Sequence, residues 1–145
     1  MDFLGWIIEG GTVRLDPAKV EGLKDWPREL KNVGEVRSTM GVIGYQRPFI
    51  PNFSNIARPI LKLTKKDEPF LWTEECTKAL DTLIRIITND PILRPPDMDR
   101  QFHLDIDASG YAVGGILYQL DDHGIQYDVG YYSKSLVPAE RNYDV

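Results

Sequence analysis

The stretch that most limits the fold is residues 103–118, HLDIDASGYAVGGILY. Its first half alternates: Phe102, Leu104 and Ile106 share one parity, while His103, Asp105 and Asp107 share the other. The small turn Ala108-Ser109-Gly110 follows, then a second apolar run, Tyr111–Tyr118, with glycines at 114 and 115. Period-two alternation around a glycine turn predicts an antiparallel hairpin with one buried face. Asp107 closes the first strand on the polar face beside Asp105. A carboxylate there does little for stability, but a strand end is a rigid mount and hard cations such as Mg²⁺ take carboxylate oxygens. Asp also commonly starts turns, so Asp107 has two readings at this point, turn former or cation holder.

Composition narrows the setting. With 145 residues, 42% hydrophobic and 27% charged, the chain has the make-up of one ordinary folded domain or two small ones sharing a core. No apolar run approaches the roughly 18 residues of a membrane span, and no secretory signal opens the chain. The single Cys76 excludes an internal disulfide framework and fits a reducing, intracellular setting, cytoplasmic or nuclear. With only His103 and His123 beside it, a zinc site is improbable. The net charge of −5 is unevenly spread: residues 1–66 hold 11 Lys and Arg against 7 Asp and Glu, residues 67–145 hold 6 against 15. The front half could approach a phosphate backbone, whereas the acidic back half would be repelled unless cations intervene.

Taken in order, the run 3–8 and Thr12–Leu15 flank Gly10-Gly11 and predict a hairpin. Asp16-Pro17 supplies a helix cap and first turn, and the short helix ends at Trp26-Pro27, with Trp26 as a core anchor. Asn32 with Glu35 resembles a capping box for a helix whose buried stripe is Val33, Val36, Met40 and Ile43. Gly41 and Gly44 thin that helix one turn apart, which suits tight helix packing or the close approach of another backbone, protein or nucleic acid. Residues 45–51 form a proline-punctuated corner. Ser54 is the expected cap of a third helix, which Pro59 should kink or interrupt. Arg47, Arg58, Lys62, Lys65 and Lys66 make this stretch basic. Thr73 opens the most regular helix, with Cys76, Ala79, Leu80, Leu83, Ile84 and Ile87 inward. It stops at Asn89-Asp90-Pro91, and an extended connector leads to the hairpin. A third strand over 125–134 follows, then a helix start at Pro138.

Several pieces in fixed order resemble the reverse transcriptase of gypsy-type LTR retrotransposons. Phe3-Leu4-Gly5, Asp16-Pro17-Ala18-Lys19-Val20, Met40-Gly41-Val42-Ile43-Gly44-Tyr45, Phe49-Ile50-Pro51-Asn52-Phe53-Ser54 and Ala57-Arg58-Pro59 are similar to its thumb. Phe70-Leu71-Trp72-Thr73 and Pro91-Ile92-Leu93 resemble its connection segment. The run Asp107–Gly114, with Tyr132-Ser133-Lys134 and Ala139–Tyr143, is similar to the start of its ribonuclease H domain. The resemblance covers nearly the whole chain.

It implies an α+β chain in three parts: a thumb-like hairpin and helices over 1–66, a connection helix and linker over 67–99, and over 100–145 an incomplete ribonuclease H-like sheet of three antiparallel strands. Asp107 becomes the first metal-binding carboxylate of a two-Mg²⁺ site that hydrolyses the RNA strand of a hybrid. Phe3, Leu4 and Gly5 would position the primer end. Gly41, Gly44, Arg47, Arg58 and Lys62 would lie against the template–primer duplex or RNA–DNA hybrid. The polymerase aspartates and the remaining ribonuclease H acids have no counterpart here, and Glu140 is not one of them. The expectation is therefore a catalytically incomplete fragment, binding nucleic acid weakly and completed by other polyprotein segments or a second copy. The alternative is a domesticated remnant acting as a non-catalytic interaction domain. Gln46, Pro48 and Trp6 depart from the family pattern and weaken a phosphate role for the 45–48 corner.

Overall fold

The computed structural model describes residues 2, 3 and 5–136, with only the backbone given for residues 2 and 3. The N-terminal run does not form one strand. Gly5, at φ +82°, turns the chain so that β1 (Asp2–Phe3) folds back on β2 (Trp6–Glu9). A left-handed backbone there favours glycine. Gly10 and Gly11 then make the expected turn into β3 (Thr12–Leu15). Asp16 caps α1 (Pro17–Val20) by accepting from the Ala18 amide, and a 3₁₀ turn over Glu21–Asp25 carries the chain to Trp26. The Trp26 indole packs on the core and donates to Thr39 Oγ1 at 3.0 Å.

Helix α2 (Val33–Gly44) is capped by Asn32 Oδ1, which accepts from the Glu35 amide at 2.9 Å. The returning arm of the box lands one residue early: Glu35 Oε2 accepts from the Lys31 amide at 2.7 Å. Helix α3 (Phe53–Leu61) departs twice from expectation. Its cap position is Asn52, held at φ 59° and without a side-chain cap bond, so Ser54 lies inside the first turn. Pro59 does not interrupt it, and the helix continues to Leu61 before tightening into a 3₁₀ turn at Lys62–Thr64. Helix α4 (Glu74–Thr88) follows the expected stripe, with Thr73 Oγ1 accepting from the Cys76 amide.

One strand was not foreseen. β4 (Ile92–Leu93) pairs antiparallel with β3, Val13 opposite Leu93, and completes a four-stranded sheet in the order β1-β2-β3-β4. Two residues carry no detectable period, so only tertiary pairing reveals such a strand. A single apolar core runs from Leu15 to Leu93 and is filled by Phe49, Phe53, Ile60, Leu80, Leu83, Ile84 and Ile87, each at most 1% exposed.

The second sheet is the predicted antiparallel trio, β5 (His103–Ala108), β6 (Ala112–Leu120) and β7 (Gln126–Ser135), in that order. It docks on α3 and on the segment after β4. Ser133 Oγ accepts from both the amide and the hydroxyl of Ser54, each at 3.1 Å. β7 thereby supplies the cap that the helix's own sequence lacks, meeting one of the amides left open at any helix start. Behind it, Gln119 is fully buried: its Oε1 accepts from the Asp97 amide at 2.8 Å and the Tyr127 hydroxyl at 3.0 Å, and its Nε2 donates to the Asp97 carbonyl at 2.8 Å. The opposite face, which carries the apolar parity expected to be buried, is open instead, with Leu104, Ile106 and Tyr132 55, 64 and 58% exposed, because the sheet docks through its Asp107–Gly114–Ser133 face. The helix start expected at Pro138 lies outside the described residues.

Candidate nucleic-acid and metal site

The register of the second sheet fixes where Asp107 looks. Asp107 pairs with Gly114, which pairs with Ser133, so all three share the face docked on α3. Asp105 lies on that face too, opposite Ile116. Asp107 is exposed, in a cleft of about 270 Å³ walled by Asp105, Gly114, Ile116 and, from the corner before α3, Pro51 and Asn52. Gly114 faces Asn52 across the cleft, where a Cβ would sit at contact distance, 3.4 Å, from Asn52 Oδ1. The carboxylate is thus mounted at a strand end, at the margin of the face docked on α3, and open to solvent.

A two-metal centre needs several acids converging on the ions, because hard cations take six or more oxygen ligands. Among the described residues no group of three or more His, Cys, Asp or Glu side chains is close enough to hold a metal ion. Asp105 and Asp107 alone do not fit that centre.

The residues expected to meet nucleic acid fall into two places. The first joins the N-terminal hairpin to the end of α2. Trp6 stands edge-on to Phe49 with ring centroids 5.1 Å apart and near Tyr45 at 6.3 Å, and its indole donates to Gln46 Oε1 at 3.2 Å. Gln46 and Trp6, two departures from the family pattern, are therefore partners of each other. Gly5 lies against Lys19, whose side chain a Cβ there would meet at 3.5 Å, while the side chain of Phe3 and all of Leu4 lie outside the described residues. Gly41 is exposed, and a Cβ there would meet nothing within 4 Å. At Gly44 a Cβ would meet only Arg47 Nε, at 3.9 Å. Tight packing within the chain, the simpler expectation for this pair, is overturned: the glycines thin a face turned outward. Arg47 lies over the Phe53 ring at 4.4 Å.

The second place is at the other end of α3. The Arg58 guanidinium stacks 3.1 Å above the Tyr111 ring of the second sheet, and Lys62 pairs with Glu68 at 3.5 Å. Sequence reasoning missed Asn52 beside Asp107 and Tyr111 under Arg58. An Asn tolerates the left-handed backbone seen at position 52, so that one carried a faint signal; Tyr111 carried none. Among the described residues no helix is long and apolar enough to cross a membrane.

Residues 72–145 match the family model of the RNase H-like domain found in reverse transcriptase. The Tf2-3 and Tf2-4 transposon polyproteins of Schizosaccharomyces pombe are each 34% identical over 143 residues, covering 99% of this chain and 11% of the polyprotein. The chain thus spans about a ninth of the length of those relatives. A foamy viral protease-reverse transcriptase in complex with dsDNA superposes at TM-score 0.74 and 24% identity, over 99% of this chain and 30% of that one. The same enzyme in complex with RNA/DNA hybrid gives TM-score 0.74 at 23% identity, over 99% of this chain and 19% of that one. At such identities the likeness is one of fold.

Proposed function

The chain belongs to the family of RNase H-like domains found in reverse transcriptase, and on that premise we propose that it holds template–primer duplex or RNA–DNA hybrid as part of a retrotransposon polyprotein. Residues 1–66 act as thumb, 67–99 as connection and 100–145 as the opening of the ribonuclease H domain. Foamy viral reverse transcriptase, which shares the fold, has been captured with dsDNA and with RNA/DNA hybrid. Asp107 is then one carboxylate of an Mg²⁺ site whose other ligands come from elsewhere in the polyprotein. The exposed Leu104, Ile106 and Tyr132 support a partner on that face, either further polyprotein segments or a second copy.

The observation that carries the reading is the outward glycine face of α2. A helix-interior glycine costs about 0.5–1 kcal/mol relative to alanine, and at Gly41 no neighbour among the described residues requires it. Close approach of an external backbone accounts for the cost. The test is Gly41→Ala, assayed by chemical denaturation and by fluorescence anisotropy with a labelled RNA–DNA hybrid at low salt. Stability should rise by about 0.5–1 kcal/mol while hybrid affinity falls. Wild-type binding should weaken linearly in log–log against salt. Absence of hybrid binding at low salt overturns the reading.

A further inference from the structure

A cleft of about 240 Å³ opens where the end of α3 meets the second sheet. Arg58, Lys62, Lys65 and Glu68 line it from the helical side, and Tyr111 and Ser135 from the sheet. We propose that this cleft binds a phosphate group, with the phosphodiester of a nucleic-acid strand as its source; the choice of source rests on the function proposed above, the chemistry of the cleft does not.

Charge decides the class of ligand. Three cations face one carboxylate. Glu68 takes up part of Lys62 at 3.5 Å, whereas among the described residues neither Arg58 nor Lys65 has an ion-pair partner. The end of α3 opposes an anion with about half a negative charge, less than the surplus of cations. Its last carbonyls are also partly occupied: the Lys62 amide donates to the Arg58 and Ile60 carbonyls, and Thr64 Oγ1 donates to the Leu61 carbonyl at 2.7 Å.

Shape then selects phosphate. The contact with Tyr111 places the guanidinium carbon of Arg58 over the ring and restrains the side chain at the cleft wall, and a guanidinium presents N–H groups that can form two parallel bonds to phosphate oxygens. Lys65 adds a mobile point charge, and Ser135 can add a hydroxyl. Because one wall belongs to α3 and the other to the sheet, the cleft exists only while the two are docked through Ser54–Ser133 and through Ser109 Oγ to Asn55 Oδ1 at 3.1 Å. Tyr111 lies in the turn that follows Asp107. A phosphate held here therefore tightens the seam that orients the Asp107 strand.

The test uses the 145-residue chain with two probes, a labelled RNA–DNA hybrid and inorganic pyrophosphate. Lys65→Gln should weaken hybrid binding about three- to tenfold and lower the salt slope by about one. Arg58→Lys, which keeps the charge and loses the fork, should also weaken it. Glu68→Gln should tighten it, an effect that damage to the fold would not produce. If the hybrid binds wild type and all three variants equally, the cleft proposal fails and the wider function stands. If the hybrid does not bind but pyrophosphate shifts the amide resonances of Tyr111 and Ser135, and Lys65→Gln removes that shift, the cleft is a free-anion site and the wider function fails. If neither probe binds, both fail.

Discussion

The two halves of the molecule are held together by different forces. From Leu15 to Leu93 the chain closes on one apolar core, and its helices keep their places by burying side chains such as Leu83 and Ile87 completely. The second sheet has no such interior. Tyr131 packs against the edge of that core, and the sheet is otherwise oriented by directed polar contacts such as Ser133 under α3, Gln119 under the 97–100 turn and Arg58 over Tyr111, while Leu104, Ile106 and Tyr132 on its far face stay exposed. Apolar packing tolerates small shifts, but a hydrogen bond fails within an ångström. The front half is thus a platform, and the sheet carrying Asp107 is aimed by a few bonds that fix its direction.

Paired truncations on the two halves break or sharpen that contrast most strongly. Leu83→Ala should cost about 2–5 kcal/mol in chemical denaturation, while Leu104→Ala on the open sheet face should cost less than about 0.5 kcal/mol. Equal costs would mean that the far face is buried in solution and the contrast is false. Next in size, Ser133→Ala leaves the buried Ser54 amide without its acceptor and should cost about 1–3 kcal/mol. Amide exchange should rise at the start of α3 and along β7 while α4 stays protected; uniform loss would show the two halves unfolding as one.

The smallest effect belongs to the β6–β7 turn. The Ile125 and His123 amides donate to Asp121 and hold its carboxyl below the ordinary carboxylate range, with Arg94 and Arg100 adding to the effect. A carboxyl depressed by folding stabilises above its unfolded pKa, and the contribution is lost as pH falls through the folded value. Turn order, followed by the amide shifts of His123 and Ile125, should therefore persist at neutral pH and fade in acid, and Asp121→Asn should remove that dependence.

Much of this was legible in the residues, and the exceptions share a cause. The α4 stripe and the Asn32 cap are local patterns, and each appears where periodicity and capping rules put it; β5 forms where its alternation predicts a strand, but its apolar parity, Leu104 and Ile106, is exposed and not buried. The turn at Gly5 was hidden because an apolar run does not announce a reversal. β4 was hidden because two residues have no period. Ser54 reads locally as a cap, whereas its partner in the structure, Ser133, lies 79 residues away where no local pattern reaches. For the site, strand parity put Asp105 and Asp107 on one face but not on the right side: their face is the one docked on α3, and Leu104 and Ile106 face outward. The outward turn of Gly41 and the stacking of Arg58 depend on what packs elsewhere, which no local pattern records.

The pairing of β4 with β3 bears on how the chain is made. Val13 meets Leu93 about eighty residues later in the chain. A ribosome takes on the order of ten seconds to add that many residues, whereas a hairpin such as β2–β3 closes in microseconds. Throughout that interval the nascent hairpin offers an uncovered strand to any neighbouring polypeptide, so newborn chains crowded on one message are most prone to cross-pairing before Leu93 emerges.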